Sequence, residues 1–204
     1  MKTRNSIISN LIVIFFFSIT IELNAQINLS RNDFSGKIKQ YNLIFEMPKG
    51  FFAPDSIDKK LCLANRVFNT DYQILAADSS VKICFITMKQ SREQEEKIRR
   101  LFPEHDITKE YLKFIPFLCK NAGDSEFIDK EIEYYNGPLR KKMNADLGLE
   151  YIIKLKKPYD GRYNFLRYKF LQQNYISKIV VFQFYEGIEK KRENGLKDII
   201  RFGK

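Results

Sequence analysis

The chain has 204 residues, a net charge of +10, three Cys, one His and no Trp. Its 44% hydrophobic and 29% charged residues make an ordinary globular mix, which excludes a disordered, collagen-like or disulfide-dense chain. The length suits one domain that buries a core without staples, and one His with three scattered Cys gives no basis for a metal site or a cofactor.

Lys2 and Arg4 precede an apolar stretch from Ile7 to Ile21, and Leu23-Asn24-Ala25-Gln26 follows. A basic start, a short apolar core and a small residue before a polar one describe a secretory signal peptide, residues 1–25, cleaved after Ala25. The stretch falls short of the about 20 apolar residues that span a bilayer, and no Cys follows to carry a lipid. The expectation is an exported mature chain, periplasmic or extracellular. Residues 26–40 carry little pattern and are expected as a loose lead-in to a single domain over 41–204.

Tyr41–Met47 has a strand pattern, stopped by Pro48-Lys49-Gly50. Weaker strand patterns cover 61–68 and 72–77, and Val81–Met88 is a clearer strand. Ser91–Phe102 reads as a helix opened by a Ser91/Gln94 capping box, with Glu93–Lys97, Glu95–Arg99 and Glu96–Arg100 as ion pairs at i, i+4. Asp106 caps a second helix, whose stripe includes Tyr111, Phe114, Ile115, Leu118 and Cys119; Pro116 should kink or shorten it, and Asn121-Ala122-Gly123 stops it. Phe127–Tyr135 is expected as a strand, turning at Asn136-Gly137 so that Glu133 faces Arg140. Leu149–Lys157 and Tyr163–Leu171 form a hairpin about Asp160-Gly161. Ile176–Tyr185 follows as a strand buried on both faces, and 188–202 as a closing helix with Leu196, Ile199 and Ile200 inward. The fold class is α+β, a mainly antiparallel sheet with helices packed on it.

The charge is uneven. Gln26–Leu139 holds 17 basic and 17 acidic residues, whereas Arg140–Lys204 holds 16 basic and 7 acidic ones, a net of +9. A one-sided excess points to an anionic membrane surface, an acidic polymer or an acidic protein, and export makes nucleic acid the less natural partner. With Asp160-Gly161 as a two-residue turn, Leu155 faces Leu166, Ile153 faces Tyr168 and Tyr151 faces Phe170. The opposite face then pairs Lys154 with Arg167, and Gln173-Asn174 as the next turn sets Lys169 against Lys178. That register gathers Lys154, Lys156, Arg167, Lys169 and Lys178 into one patch. Like charges directly opposite destabilise a sheet, so the patch calls for acidic residues, solvent or an anionic ligand.

The sequence holds no Gly-rich phosphate loop and no nucleophile elbow. His105, between Glu104 and Asp106, reads as a solvated loop residue, and a nucleophile pair would need it beside Cys62, Cys84 or Cys119. Cys84 and Cys119 lie in apolar runs and read as packing residues; a Cys62–Cys84 bridge is the alternative in an oxidising compartment.

Two segments carry a family likeness. Tyr41-Asn42-Leu43-Ile44-Phe45-Glu46-Met47-Pro48-Lys49-Gly50-Phe51 runs strand, Pro, aromatic. Ile179–Tyr185 leads on to Leu196-Lys197-Asp198-Ile199-Ile200-Arg201-Phe202. In both, the chain resembles the PsbP-like fold, an α/β/α sandwich shared by the photosystem extrinsic subunit and a Ran-binding protein family. Arg201 stands where that group often has Ser, and Phe51 where it has Trp. The resemblance implies an accessory or binding role in place of catalysis. The expectation is a non-catalytic binding protein of the bacterial cell envelope. The alternatives are a secreted hydrolase and an inhibitor or immunity-type protein.

Overall fold

The computed structural model describes residues 31–54, 60–63, 66–101, 103, 110–174, 176–187 and 196–204. The expected leader, His105 and most of the expected closing helix lie outside them. The chain divides into two units, Met1–Ser35 and Gly36–Lys204. Of the first, residues 31–35 are described, and they begin helix α1 (Arg31–Gln40) where a loose lead-in was expected.

The second unit is α+β. Its main sheet has seven antiparallel strands: β2 (Phe51–Phe52), β5 (Tyr72–Ala76), β6 (Val81–Lys89), β7 (Glu133–Tyr134), β8 (Leu147–Tyr159), β9 (Tyr163–Gln173) and β10 (Ser177–Tyr185). They lie in the order β2-β5-β6-β10-β9-β8-β7. Strand β10 lies between β6 and β9, and every one of its residues is buried. That accounts for its unbroken apolar run, since an interior strand covered on both faces has no polar side to alternate with.

The first face of the sheet carries Tyr151, Ile153, Leu166, Tyr168, Phe182 and Phe184. Helix α2 (Arg92–Leu101) follows β6 and is opened by the expected capping box. Gln94 N–H donates to Ser91 Oγ at 3.0 Å, and Ser91 N–H to Gln94 Oε1 at 2.9 Å. Of the expected ion pairs along it, Glu96–Arg100 forms at 3.9 Å. Helix α3 (Glu110–Ala122) lays Ile115, Leu118 and Cys119 on the first face and continues past Pro116, which does not shorten it. Burial of those side chains outweighs the missing N–H, which costs ~3 kcal/mol within a helix. Gly123 ends α3, donating to the carbonyls of Leu118 and Cys119. A Cβ there would meet the Cys119 carbonyl at 2.8 Å. Beside α3 lies a hairpin of β3 (Lys60–Leu63) and β4 (Arg66–Asn69), whose Phe68 meets Phe114 edge-on at 5.4 Å.

The second face is covered by a separate two-stranded sheet. Here β1 (Leu43–Phe45) pairs with β11 (Ile200–Phe202), and Phe45 meets Tyr72 and Phe85 edge-on at 5.6 and 5.5 Å. Residues 200–202, expected at the end of a helix, are therefore extended, although Leu196, Ile199 and Ile200 are buried as expected.

Two further expectations are corrected. Asn136-Gly137 is not a hairpin turn. Asn136 caps helix α4 (Gly137–Met143), its Oδ1 accepting from Leu139 N–H at 3.0 Å. Pro138 is the reason: it suits the first turn of a helix, where its missing N–H costs nothing, and defeats a tight hairpin. Arg140, Lys141 and Lys142 thus sit in the last turn of a helix, complementing its dipole, and Glu133 pairs with Glu150 across β7 and β8. The expected strand from Phe127 shrinks to Glu133–Tyr134, preceded by a 3₁₀ turn over Asp129–Glu131.

The β8–β9 turn forms at Asp160-Gly161, both with positive φ (51° and 73°). The ladder beyond it is irregular between Lys154 and Tyr159, where Pro158 has no N–H to give. The register is therefore shifted by two residues from expectation: Ile153 faces Leu166 and Tyr151 faces Tyr168. A shift of two preserves which face each side chain takes, so the apolar face survives. At the next turn Ser177 pairs with Gln173, an odd offset from the expected register. That offset turns Lys178 onto the first face.

Candidate functional site

The structure divides the five expected cations instead of gathering them. Arg167 and Lys169 stand on the second face of β9 at 2% and 4% exposure, facing Ile152 and Glu150 on β8. Lys178, also buried, faces Gln172 on the first face. Lys154 and Lys156 are exposed near the end of β8. Neither like-charge pair that motivated the patch exists, because each register shift replaces a cation with a neutral or opposite partner.

The buried group is organised around Glu150. Its carboxylate lies 3.4 Å from the Arg167 guanidinium and 3.7 Å from Lys197 Nζ, and it accepts from Tyr135 O–H at 3.1 Å. Lys197 also reaches Glu133, at 3.2 Å. Lys169 Nζ donates to the Leu196 carbonyl at 3.0 Å, tying β9 to the chain that leads into β11. The Arg167 guanidinium lies 5.7 Å from the centre of the Tyr185 ring. Burial, and then the negative charge of Glu150, push the Tyr135 phenol far above its ordinary range, so it stays a donor. Gly148 lets this ring lie against the strand: a Cβ there would meet Tyr135 Cδ2 at 2.5 Å. The amide of fully buried Gln183, opposite Arg167 on β10, has no hydrogen-bond partner among the described residues. Such a group links strands and covering layer, and its charges are closed to a large anion.

The exposed pair has another setting. Lys154 Nζ donates to Asp124 Oδ2 at 2.8 Å, and Lys156 Nζ to the Lys120 carbonyl at 3.0 Å. That hydrogen bond with Lys154, reinforced by its charge, holds the Asp124 carboxyl below the usual carboxylate range, while Asp124 raises Lys154. Both lysines close the C-terminal end of α3, where unsatisfied carbonyls favour cations. Leu155 between them bridges Gly123. Lys120, which the register argument did not include, belongs to this cluster, and Lys157 follows it exposed on the chain.

Cys84 and Cys119 are buried packing residues, Cys62 is exposed, and no disulfide joins Cys62 to Cys84. Burial pushes the Cys119 thiol up, against the pull of the Tyr151 hydroxyl, so it stays protonated. Among the described residues no cluster of His, Cys, Asp and Glu could hold a metal ion, and no helix is long and apolar enough to cross a membrane. No protein-family profile, curated protein or solved structure matches the chain.

Proposed function

We propose that this is an exported, non-catalytic binding protein of the bacterial cell envelope that engages an anionic partner through exposed cations. The observation that carries the reading is the cluster of Lys120, Lys154 and Lys156 at the end of α3, which holds Asp124 as its bonded carboxylate. The leader-like first 25 residues and the net +9 of Arg140–Lys204 support it. The buried, protonated Cys119 and the buried Cys84 speak against a thiol hydrolase. The PsbP-like reading is part of the proposal. Its support is that the two segments carrying the resemblance, around Leu43–Phe45 and Ile200–Phe202, pair with each other.

The test has two parts. The full chain, produced in a host with a periplasm, should be recovered there with Gln26 at its N-terminus. The chain beginning at Gln26 should then bind immobilised polyanions (phosphatidylglycerol vesicles, polyglutamate, dextran sulfate) at low salt and be released as salt rises. Retention in the cytoplasm with an intact leader would overturn export. Indifference to all three polyanions would overturn the binding role.

A further inference from the structure

The cations at the end of α3 continue along the outside of the first-face layer. Lys113, Phe117 and Lys120 recur at i, i+4 and i+7, so they share one face of α3. Both lysines are exposed, and Phe117 is half-buried. The Arg66 guanidinium of the β3–β4 hairpin lies over the Phe117 ring at 4.1 Å. Stacked there, it keeps its N–H edge for an oxyanion. Lys156 reaches the same helix through the Lys120 carbonyl. Next to Arg66, Val67 is 60% exposed, directly across the hairpin from exposed Cys62. The result is a ridge of Arg66, Lys113, Lys120 and Lys156, with the exposed pair Cys62/Val67 on the other face of the hairpin.

We propose that this ridge docks on an anionic lipid surface. The inference rests on the binding role above and names its partner. Two features favour lipid over an acidic protein or polymer. Three of the four cations are lysines, point charges on long stems that set no fixed geometry for one partner. They are spread over three elements, which suits a partner whose charge is continuous in two dimensions. With no apolar anchor among them, binding is electrostatic and reversible.

The experiment compares the chain beginning at Gln26, which keeps the whole compact unit Gly36–Lys204, on three probes. These are phosphatidylglycerol vesicles, phosphatidylcholine vesicles and polyglutamate. Phosphatidylglycerol alone should bind strongly, with loss at high salt. Each cation near an anionic surface contributes about fivefold. The combined variant Arg66→Gln, Lys113→Gln, Lys120→Gln, Lys156→Gln should therefore weaken binding by about two orders of magnitude or more. A variant removing equal charge elsewhere (Lys39, Lys49, Lys141 and Lys204, each to Gln) should lose much less. All eight positions are exposed, and circular dichroism of both variants checks the fold. Equal losses in the two variants would overturn the ridge and leave charge alone. Binding to polyglutamate but not to phosphatidylglycerol would overturn the lipid assignment while keeping the wider binding role. Binding to no probe would overturn the lipid assignment, and indifference to dextran sulfate as well would overturn the binding role.

Discussion

Glu150→Gln removes one charge from the buried group while keeping its shape. In the folded protein the carboxylate lies 3.4 Å from Arg167 and both side chains are almost wholly buried. At an effective dielectric constant of about 20, a pair at that distance interacts by about 5 kcal/mol. Relief from burying the carboxylate returns part of that. Broken buried pairs cost about 3–5 kcal/mol, and since Gln can still accept from Tyr135 the lower end, about 3 kcal/mol, is expected here. For a chain of this size that lowers the melting temperature by about 6–12 °C. Urea unfolding followed by far-ultraviolet circular dichroism measures it, with the midpoint falling and the slope unchanged. The double variant Glu150→Met, Arg167→Met should lose less than the sum of the two single changes, because neither leaves a charge facing an apolar partner. If Glu150→Gln unfolds within about 1 kcal/mol of the wild type, the pair does not organise the second face and the argument fails.

Gly148→Ala drives a methyl into the Tyr135 ring, and thermal melting should show a loss of about 1–3 kcal/mol; an unchanged melting temperature would mean the ring moves freely. Asn136→Ala removes the cap of α4 and should cost about 1 kcal/mol in urea unfolding, whereas Asn136→Gly should cost only a few tenths. Stability should also fall above pH 10. Burial raises the phenols of Tyr135, Tyr151, Tyr159 and Tyr163, with Tyr159 pushed up to about 12. The folded chain thus holds protons that the unfolded chain releases near pH 10, and their stabilising effect is lost as pH rises through the folded values. In an alkaline titration the tyrosinate absorbance of these buried phenols should appear only with loss of the circular dichroism signal; ionisation of all eleven tyrosines near pH 10 in a still-folded protein would contradict the burial.

Local chemistry was the legible part of the fold. The capping box at Ser91, the run that became β10 and the stripe of α3 each state their structure within a dozen residues. The apolar face of β8 and β9 was also readable, since parity survives a slip of two. The exact register was not. It depends on an irregularity at Pro158 and on where β10 rejoins β9, and both are set by packing across the sheet. The patch failed for that reason: moving β8 by two residues exchanges Lys154 for Ile152 opposite Arg167. The pair of residues that misled most, Asn136-Gly137, carried its correction in Pro138. On the surface, Lys113, Phe117 and Lys120 could have been found from their spacing. Arg66 could not, because only the fold brings the hairpin against α3.

The pairing of β1 with β11 carries a consequence for the order of folding. Leu43 pairs with Phe202, and Glu46 meets Arg201 at 2.7 Å across the same junction. All seven strands of the main sheet lie between these two segments along the chain, so the junction closes a long loop. Until it closes, the second face of the sheet lacks its lid, and Lys169 has no Leu196 carbonyl to hold. Contacts of such separation are slow to form, so the lid settles after the sheet it covers.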